Sequence, residues 1–261
     1  DVIKTQRTNS VDKASTYLSV AIEFVKDSAG NTVKAVSKNS AFDAEHTKDT
    51  TVPTVTTFSL DLTAGTVTIV FSEAMDVAKS DFKQSFALVA AGADTVPLTA
   101  SSTQSADGNT IVVDIDTDDL HSIKLNDGIA TSMSNTKLSI DTLTFYDMRS
   151  NALEAIVKDV DLLTKDTRAP SISSVSVDMD LGELTIIYVE PVRRNTLDFS
   201  LIEAGDGKGD FYRLTGGTSE SLNSLQMKIK LSEVDLNEIK RREDMWTSKA
   251  TSVVRANKDH I

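Results

Sequence analysis

Between Phe58 and Glu73 the chain reads FSLDLTAGTVTIVFSE, with apolar side chains at Phe58, Leu60 and Leu62, a Thr-Ala-Gly turn, and apolar side chains again at Val67, Ile69 and Phe71. A period of two puts one face of a strand into a core, so the stretch predicts a hairpin buried on one side. The pattern returns 117 positions later as VSVDMDLGELTIIYVE, Val175 to Glu190. Ile111, Val113 and Ile115 alternate in the same way, and further β-type segments are expected near Phe86–Val89, Val96–Thr99, Lys137–Phe145 and Leu153–Val160. Glycine-, aspartate- and asparagine-rich turns separate them. About seven short strands in such a length predict an antiparallel two-sheet sandwich. Helix is expected only as one short turn in Asp116–Lys124 and its counterpart Ser232–Lys240, with Asp116 and Ser232 as N-caps.

The repeat extends past the hairpin. DTTVP at Asp49–Pro53 matches DTRAP at Asp166–Pro170, and DLHSIK at Asp119–Lys124 matches DLNEIK at Asp235–Lys240. At the amino-terminal end, STYLSV (Ser15–Val20) aligns with NTKLSI (Asn135–Ile140), and VKDSAGNTV (Val25–Val33) with FYDMRSNAL (Phe145–Leu153). The expected organisation is therefore the carboxy-terminal part of a repeat at 1–48, a complete repeat at 49–165, and a repeat lacking its last strand or strands at 166–261. Two explanations of that phase stay open: residues 1–48 of one molecule complete the last repeat of another by strand addition, or the chain is a window on a longer array. The proline in each link fixes φ and removes a donor, which predicts short, stiff connections and an extended rod.

Composition narrows the function. With 39 acidic against 27 basic residues, a net charge of −12 argues against a nucleic-acid partner. The basic residues of IKRRED (Ile239–Asp244) sit among acidic ones and are expected on a solvated face. The chain has no cysteine, which removes disulfides and thiolate chemistry. No apolar run is long enough for a membrane span, and the start at Asp1 is expected of a processed or excised segment.

DTTVPTV and GTVTIVFSEAMD, within Asp49–Asp76, together with KDSAGN at Lys26–Asn31, resemble the bacterial Ig-like repeats of surface-layer and adhesin-type proteins, and the tandem repeats of large extracellular microbial and algal proteins. The resemblance runs through the whole chain as successive copies and implies an all-β fold of tandem Ig-like antiparallel β-sandwich repeats. It also implies a spacer, scaffold or adhesive role at a cell surface or in an extracellular fibre. The last copy departs from the pattern at YVEPVRR (Tyr188–Arg194), where the first reads FSEAMDV. The leading expectation is a non-catalytic structural protein whose partners are copies of itself or neighbouring repeats. The alternative is an adhesin gripping a glycan or protein receptor, which would need exposed aromatics at one pole; Phe211, Tyr212 and Trp246 are the candidates.

Catalytic chemistry finds no signature: there is no Gly-x-Ser-x-Gly elbow, phosphate-binding glycine loop or His-Glu-x-x-His motif. His46, His121 and His260 stand in unrelated contexts and are expected at the surface, and the glycine-rich EAGDGKGD (Glu203–Asp210) is expected to be a hairpin loop. Carboxylates are the group that recurs. Asp49 and Asp166 open the links, Glu73 and Glu190 end equivalent hairpins, and Asp27 and Asp147 occupy equivalent late turns. Oxygen ligands from a link and from loops at two facing domain poles suit calcium, which takes about six to eight of them, so these six residues are the candidate metal ligands at the junctions between repeats, with a stiffening role. No Asn-x-Ser/Thr sequon is present; threonines flanking Pro53 are compatible with O-linked glycans or with plain strand surface.

Overall fold

The computed structural model describes residues 5–8, 10–81, 86–90, 94–99 and 101–256. It divides into two units, residues 1–166 and residues 167–261. At the start of unit 1, β1 (Tyr17–Leu18) and β2 (Phe42–Asp43) pair antiparallel as a small sheet of their own. The segment before β1 opens with a 3₁₀ turn capped by Asp12, whose carboxylate accepts the Ser15 N–H.

The rest of unit 1 runs β3 (Val55–Asp61), β4 (Thr66–Met75), β5 (Phe86–Val89), β6 (Thr95–Pro97), β7 (Ser102–Thr103), β8 (Gly108–Asp114), α1 (Thr117–Leu125), β9 (Lys137–Ile140), β10 (Ile156–Asp159) and β11 (Leu162–Thr164). Two sheets form, ordered β11-β3-β4-β8-β7 and β10-β9-β5-β6. The alternating residues of both, Phe58, Leu60, Val67, Ile69, Phe71, Ile111 and Val113 from one and Phe86, Leu88, Leu138 and Ile140 from the other, share one core. The β3–β4 hairpin turns at Gly65, whose φ of +70° favours glycine, and α1 lays Leu120 against it.

Unit 2 repeats the plan with β12 (Ile172–Asp178), β13 (Glu183–Val192), β14 (Ile202–Gly205), β15 (Phe211–Arg213), β16 (Gly217–Thr218), β17 (Ser224–Leu231), α2 (Glu233–Arg241) and β18 (Val253–Ala256). Its sheets are ordered β12-β13-β17-β16 and β15-β14-β18. Register is kept as well as order: Phe58 faces Ile69 as Val175 faces Ile186, and Phe86 faces Ile140 as Ile202 faces Ala256. Gly182, at φ +61°, takes the place of Gly65 and meets Leu236 of α2. A capped 3₁₀ turn precedes β9 and β18 just as one precedes β1, with N-caps Asp12, Ser132 and Ser248. Two residues before each cap the backbone has positive φ, at Ser10, Ala130 and Trp246.

Several expectations change. The helices are nine residues each, not single turns, because Asp116 and Ser232 cap them as expected and no breaker intervenes before Leu125 and Arg241. The strand expected over Lys137–Phe145 stops at Ile140, before a turn in which Leu143 has φ +70°. The one over Leu153–Val160 is confined to Ile156–Asp159. Pairing is antiparallel except at β11, which lies parallel to β3. Among the described residues, no helix is long and apolar enough to cross a membrane.

Phe71→Ala is expected to lower the stability of unit 1 by about 3–5 kcal/mol, since its ring is buried against Phe145. Trp246, the sole tryptophan, lies in the core of unit 2. Denaturation followed by circular dichroism should therefore shift while the tryptophan fluorescence midpoint stays in place; an unshifted dichroism midpoint would contradict the assigned strand face.

Candidate functional site

An aspartate turn is written twice in unit 1. Asp147 Oδ1 accepts the N–H groups of Arg149 and Asn151 at 2.8 and 2.7 Å, and its other oxygen accepts Asn151 Nδ2 at 2.8 Å. Asp27 receives the same three bonds from Ala29 and Asn31, at 2.9, 2.8 and 2.9 Å. The residue before each asparagine, Ser150 or Gly30, is in the left-handed region. The Asn31 side chain, with backbone N–H groups, holds the Asp27 carboxyl below the usual carboxylate range. The turn is thus a self-contained device of the chain, in which aspartate satisfies its own following backbone.

At Asp147 the device does more. Asn151 Nδ2 also reaches the carbonyl of Asp49 at 3.3 Å, so the turn clamps the link that opens the repeat. Among the described residues, one group of three carboxylates converges: Asp49, Glu73 and Asp147 each offer an oxygen within 4.8 Å of the others, with Glu73 and Asp147 buried. The other three expected ligands do not join it. Asp27 is exposed on the amino-terminal segment, Asp166 pairs with Lys124 at 2.8 Å, and Glu190 faces Arg168 at 4.0 Å. The six candidates thus resolve into one cluster of three within unit 1. Three carboxylates at a strand end, a link and a turn are chemically suited to a hard cation, although Asp147 has already committed three of its roughly four lone-pair sites to hydrogen bonds.

Beside this pole, Arg7 grips Asp76 through two bonds of 2.9 Å and Asp107 at 2.6 Å. The guanidinium holds the Asp76 carboxyl below its ordinary range, and Asp107 in turn accepts the Val77 N–H. Residues 5–8 are thereby tied to the loops that follow β4 and precede β8.

In unit 2 the most enclosed carboxylate is Asp235, on α2. Tyr212 Oη, Thr215 N and Oγ1, and Gly216 N all donate to it, at 2.7 to 3.1 Å. Burial works against its ionisation, yet the bonds from Tyr212, Thr215 and Ser232 prevail and its pKa is lowered. Its counterpart Asp119 accepts Thr99 N–H and Oγ1 in unit 1, so in both units the aspartate on the helix locks the loop leading from the second sheet back to the first. The sequence search missed this role; the signal was the shared Asp-Leu of the two helix motifs. The Tyr212 hydroxyl is pushed up to about 12, first by burial and then by Asp235.

The aromatic candidates for an adhesive pole divide. Trp246 is buried with its Nε1 donating to the Val253 carbonyl, while Phe211 and Tyr212 are half-buried in and beside Arg255 and Asp235 contacts. His121 is half-buried with Nδ1 enclosed, not fully at the surface; Nε2 of half-buried His46 lies 3.2 Å from the Ser10 carbonyl, and His260 falls outside the described residues. EAGDGKGD does form a hairpin loop, closed by Asp206 accepting the N–H groups of Lys208, Gly209 and Asp210. Arg241 and Arg242 of IKRRED both pair with Glu238.

No family model matches the chain, and no curated protein is significantly similar to it.

Two outcomes are expected here. A calcium site at Asp49, Glu73 and Asp147 requires that calcium raise the thermal midpoint of the chelated chain and that Glu73→Gln remove the increment; equal midpoints with and without calcium would refute it. Asp235→Asn should destabilise unit 2 by about 3 kcal/mol, since four donors lose a charged acceptor. Because the folded pKa of Asp235 is depressed, its contribution is complete above the unfolded carboxylate range near pH ~4 and is lost as pH falls below it. The acid limb of a Trp246 fluorescence titration should therefore flatten in the variant.

Proposed function

We propose that the chain is a non-catalytic stretch of a tandem array of Ig-like β-sandwich modules that builds or decorates an extracellular fibre, appendage or surface layer. The observation that carries this reading is the recurrence of β3 to β9 as β12 to β18 in the same order, including the register of β3–β4–β8 in β12–β13–β17. Strand order supports the Ig-like assignment. β3, β4, β8 and β7 follow the A-B-E-D order of one Ig sheet, and β5, β9 and β10 the C-F-G order of the other, with β6 as a C′ strand.

The mechanism is mechanical. Rows of Val, Ile, Leu and Phe hold each module, and the proline-bearing links Asp49–Pro53 and Asp166–Pro170 set the spacing. Its partners are copies of the same module, in the same or another chain, with O-linked glycans at the threonines around Pro53 as a surface modification. The extracellular setting rests on the resemblance of the link and hairpin motifs. A receptor-gripping adhesin has less support, because Trp246, one of its three aromatic candidates, is committed to a core.

A compact chain of 261 residues has a radius of gyration of about 18 Å. Small-angle scattering of an array stretch should give a distinctly larger value and a pair-distance distribution with a long tail. A value near ~18 Å with a symmetric distribution would remove the rod.

A further inference from the structure

Arg7 is held by two loops of the complete repeat at once. Its guanidinium forks onto Asp76, after β4, through two bonds of 2.9 Å, and Nη2 also reaches Asp107, before β8, at 2.6 Å. The aspartate side chains are 15% and 23% exposed. Two carboxylates sharing one nitrogen would repel each other without the cation between them. A single exposed ion pair contributes little, but a bidentate arginine that serves two carboxylates is a network. A second tie comes from the Asp147 turn, where Arg149 donates to the Gln6 carbonyl at 3.4 Å. The amino-terminal segment is thus fastened to one pole of the complete repeat by an arginine and a pair of aspartates.

The same pole in unit 2 keeps its frame and changes its charge. Val192 pairs with Ser224 as Met75 pairs with Gly108, which puts Arg193 at the place of Asp76 and Asn223 at that of Asp107. The Arg194 N–H donates to Asn223 Oδ1 at 3.0 Å, repeating the bond of the Val77 N–H to Asp107 Oδ1 at 3.0 Å. An amide therefore preserves the loop where a carboxylate does so in unit 1, while a pair of negative charges becomes a single positive one.

The position of Arg7 recurs as well. It lies five residues before Asp12, the N-cap of a 3₁₀ turn, and five residues before the equivalent caps Ser132 and Ser248 stand Asp127 and Glu243. Both are exposed. The loop thus presents a cation in one copy and a carboxylate in two, and the pole presents two carboxylates in one copy and an arginine with an asparagine in the other. A guanidinium–carboxylate fork has the same geometry whichever side supplies the arginine.

We propose that this loop position and this pole form a charge address by which modules recognise one another, a deepening that rests on the array reading. A pole of the Asp76–Asp107 type accepts a loop that presents arginine, and a pole of the Arg193–Asn223 type accepts a loop that presents a carboxylate. The partner that fits the unit 2 pole is a module whose loop carries aspartate or glutamate where the amino-terminal segment carries Arg7. Mismatches bring like charges together: arginine against Arg193, or a third carboxylate against Asp76 and Asp107. Tandem copies of one fold are prone to misassembly, and such repulsion excludes the wrong neighbour without altering the fold.

The clasp within unit 1 tests the address. Because the chain has no cysteine, spin labels at Thr8→Cys and Asn109→Cys, both exposed and on opposite sides of the clasp, read the joint by pulsed double resonance in the full chain. A docked joint should give one narrow distance distribution. Arg7→Asp should broaden it, and so should Asp76→Arg with Asp107→Asn, which installs the unit 2 pole. Combining the three substitutions restores opposite signs and should bring the narrow distribution back. Asp107→Asn keeps an acceptor for the Val77 N–H, as Asn223 does for Arg194, and the unit 1 dichroism midpoint verifies folding. If the triple variant does not fold, Arg7→Asp with Asp76→Arg makes the same exchange with one substitution fewer. A narrow distribution in Arg7→Asp, or a broad one in the folded exchange variant, would overturn the address. Either result leaves the array reading to the scattering measurement, which senses extension and not charge.

Discussion

The packing of Phe145 between Phe71 and Phe86 is the contact on which the complete repeat depends. Phe71 belongs to β4 and Phe86 to β5, so the ring contacts both layers. Two sheets with one apolar face each gain stability from covering that face. A loop residue does the covering here, which is why the turn after β9 is shaped so closely. Leu143 takes a left-handed backbone, Asp147 satisfies the next N–H groups, and Asn151 fastens the turn to the incoming link. The aspartate device and the aromatic plug are parts of one closure.

How much of this was legible in the sequence depended on the range of the interaction. The β3–β4 hairpin and its copy were plain, because alternation at Phe58, Leu60, Val67 and Ile69 is local and the turn glycine follows from positive φ. The N-caps Asp116 and Ser232 were legible for the same reason. For α1, helix length was underestimated because it lacks a strong apolar stripe: it buries Leu120 and Ile123, with most of its remaining side chains polar. Parallel pairing of β11 with β3 joins residues more than a hundred positions apart, and no local period encodes it.

The six carboxylates illustrate the same limit. Sequence equivalence grouped them by position in the repeat, and the fold then selected Asp49, Glu73 and Asp147 because these belong to one copy's link, hairpin and turn. Their equivalents Asp166 and Glu190 belong to a copy in which no third carboxylate reaches them among the described residues, and basic side chains stand beside both instead. Asp235 went unnoticed since its donors, Tyr212, Thr215 and Gly216, are some twenty residues away in a loop.

Repeats with one fold must still distinguish their neighbours, and shape alone cannot do so when the surfaces are copies of each other. The charge is therefore informative where it diverges. Residues 49–165 hold 17 acidic and 7 basic side chains, whereas residues 166–261 hold 16 and 13. The added basic residues include Arg168, Arg193 and Arg194, at one pole of unit 2. In unit 1 that pole is closed by its own Asp147 turn, and Arg7 neutralises Asp76 from the chain's start. Unit 2 instead carries positive charge within the pole itself, where Arg168 faces Glu190. Three side chains thus set apart the charge of two poles whose strand order and register are shared.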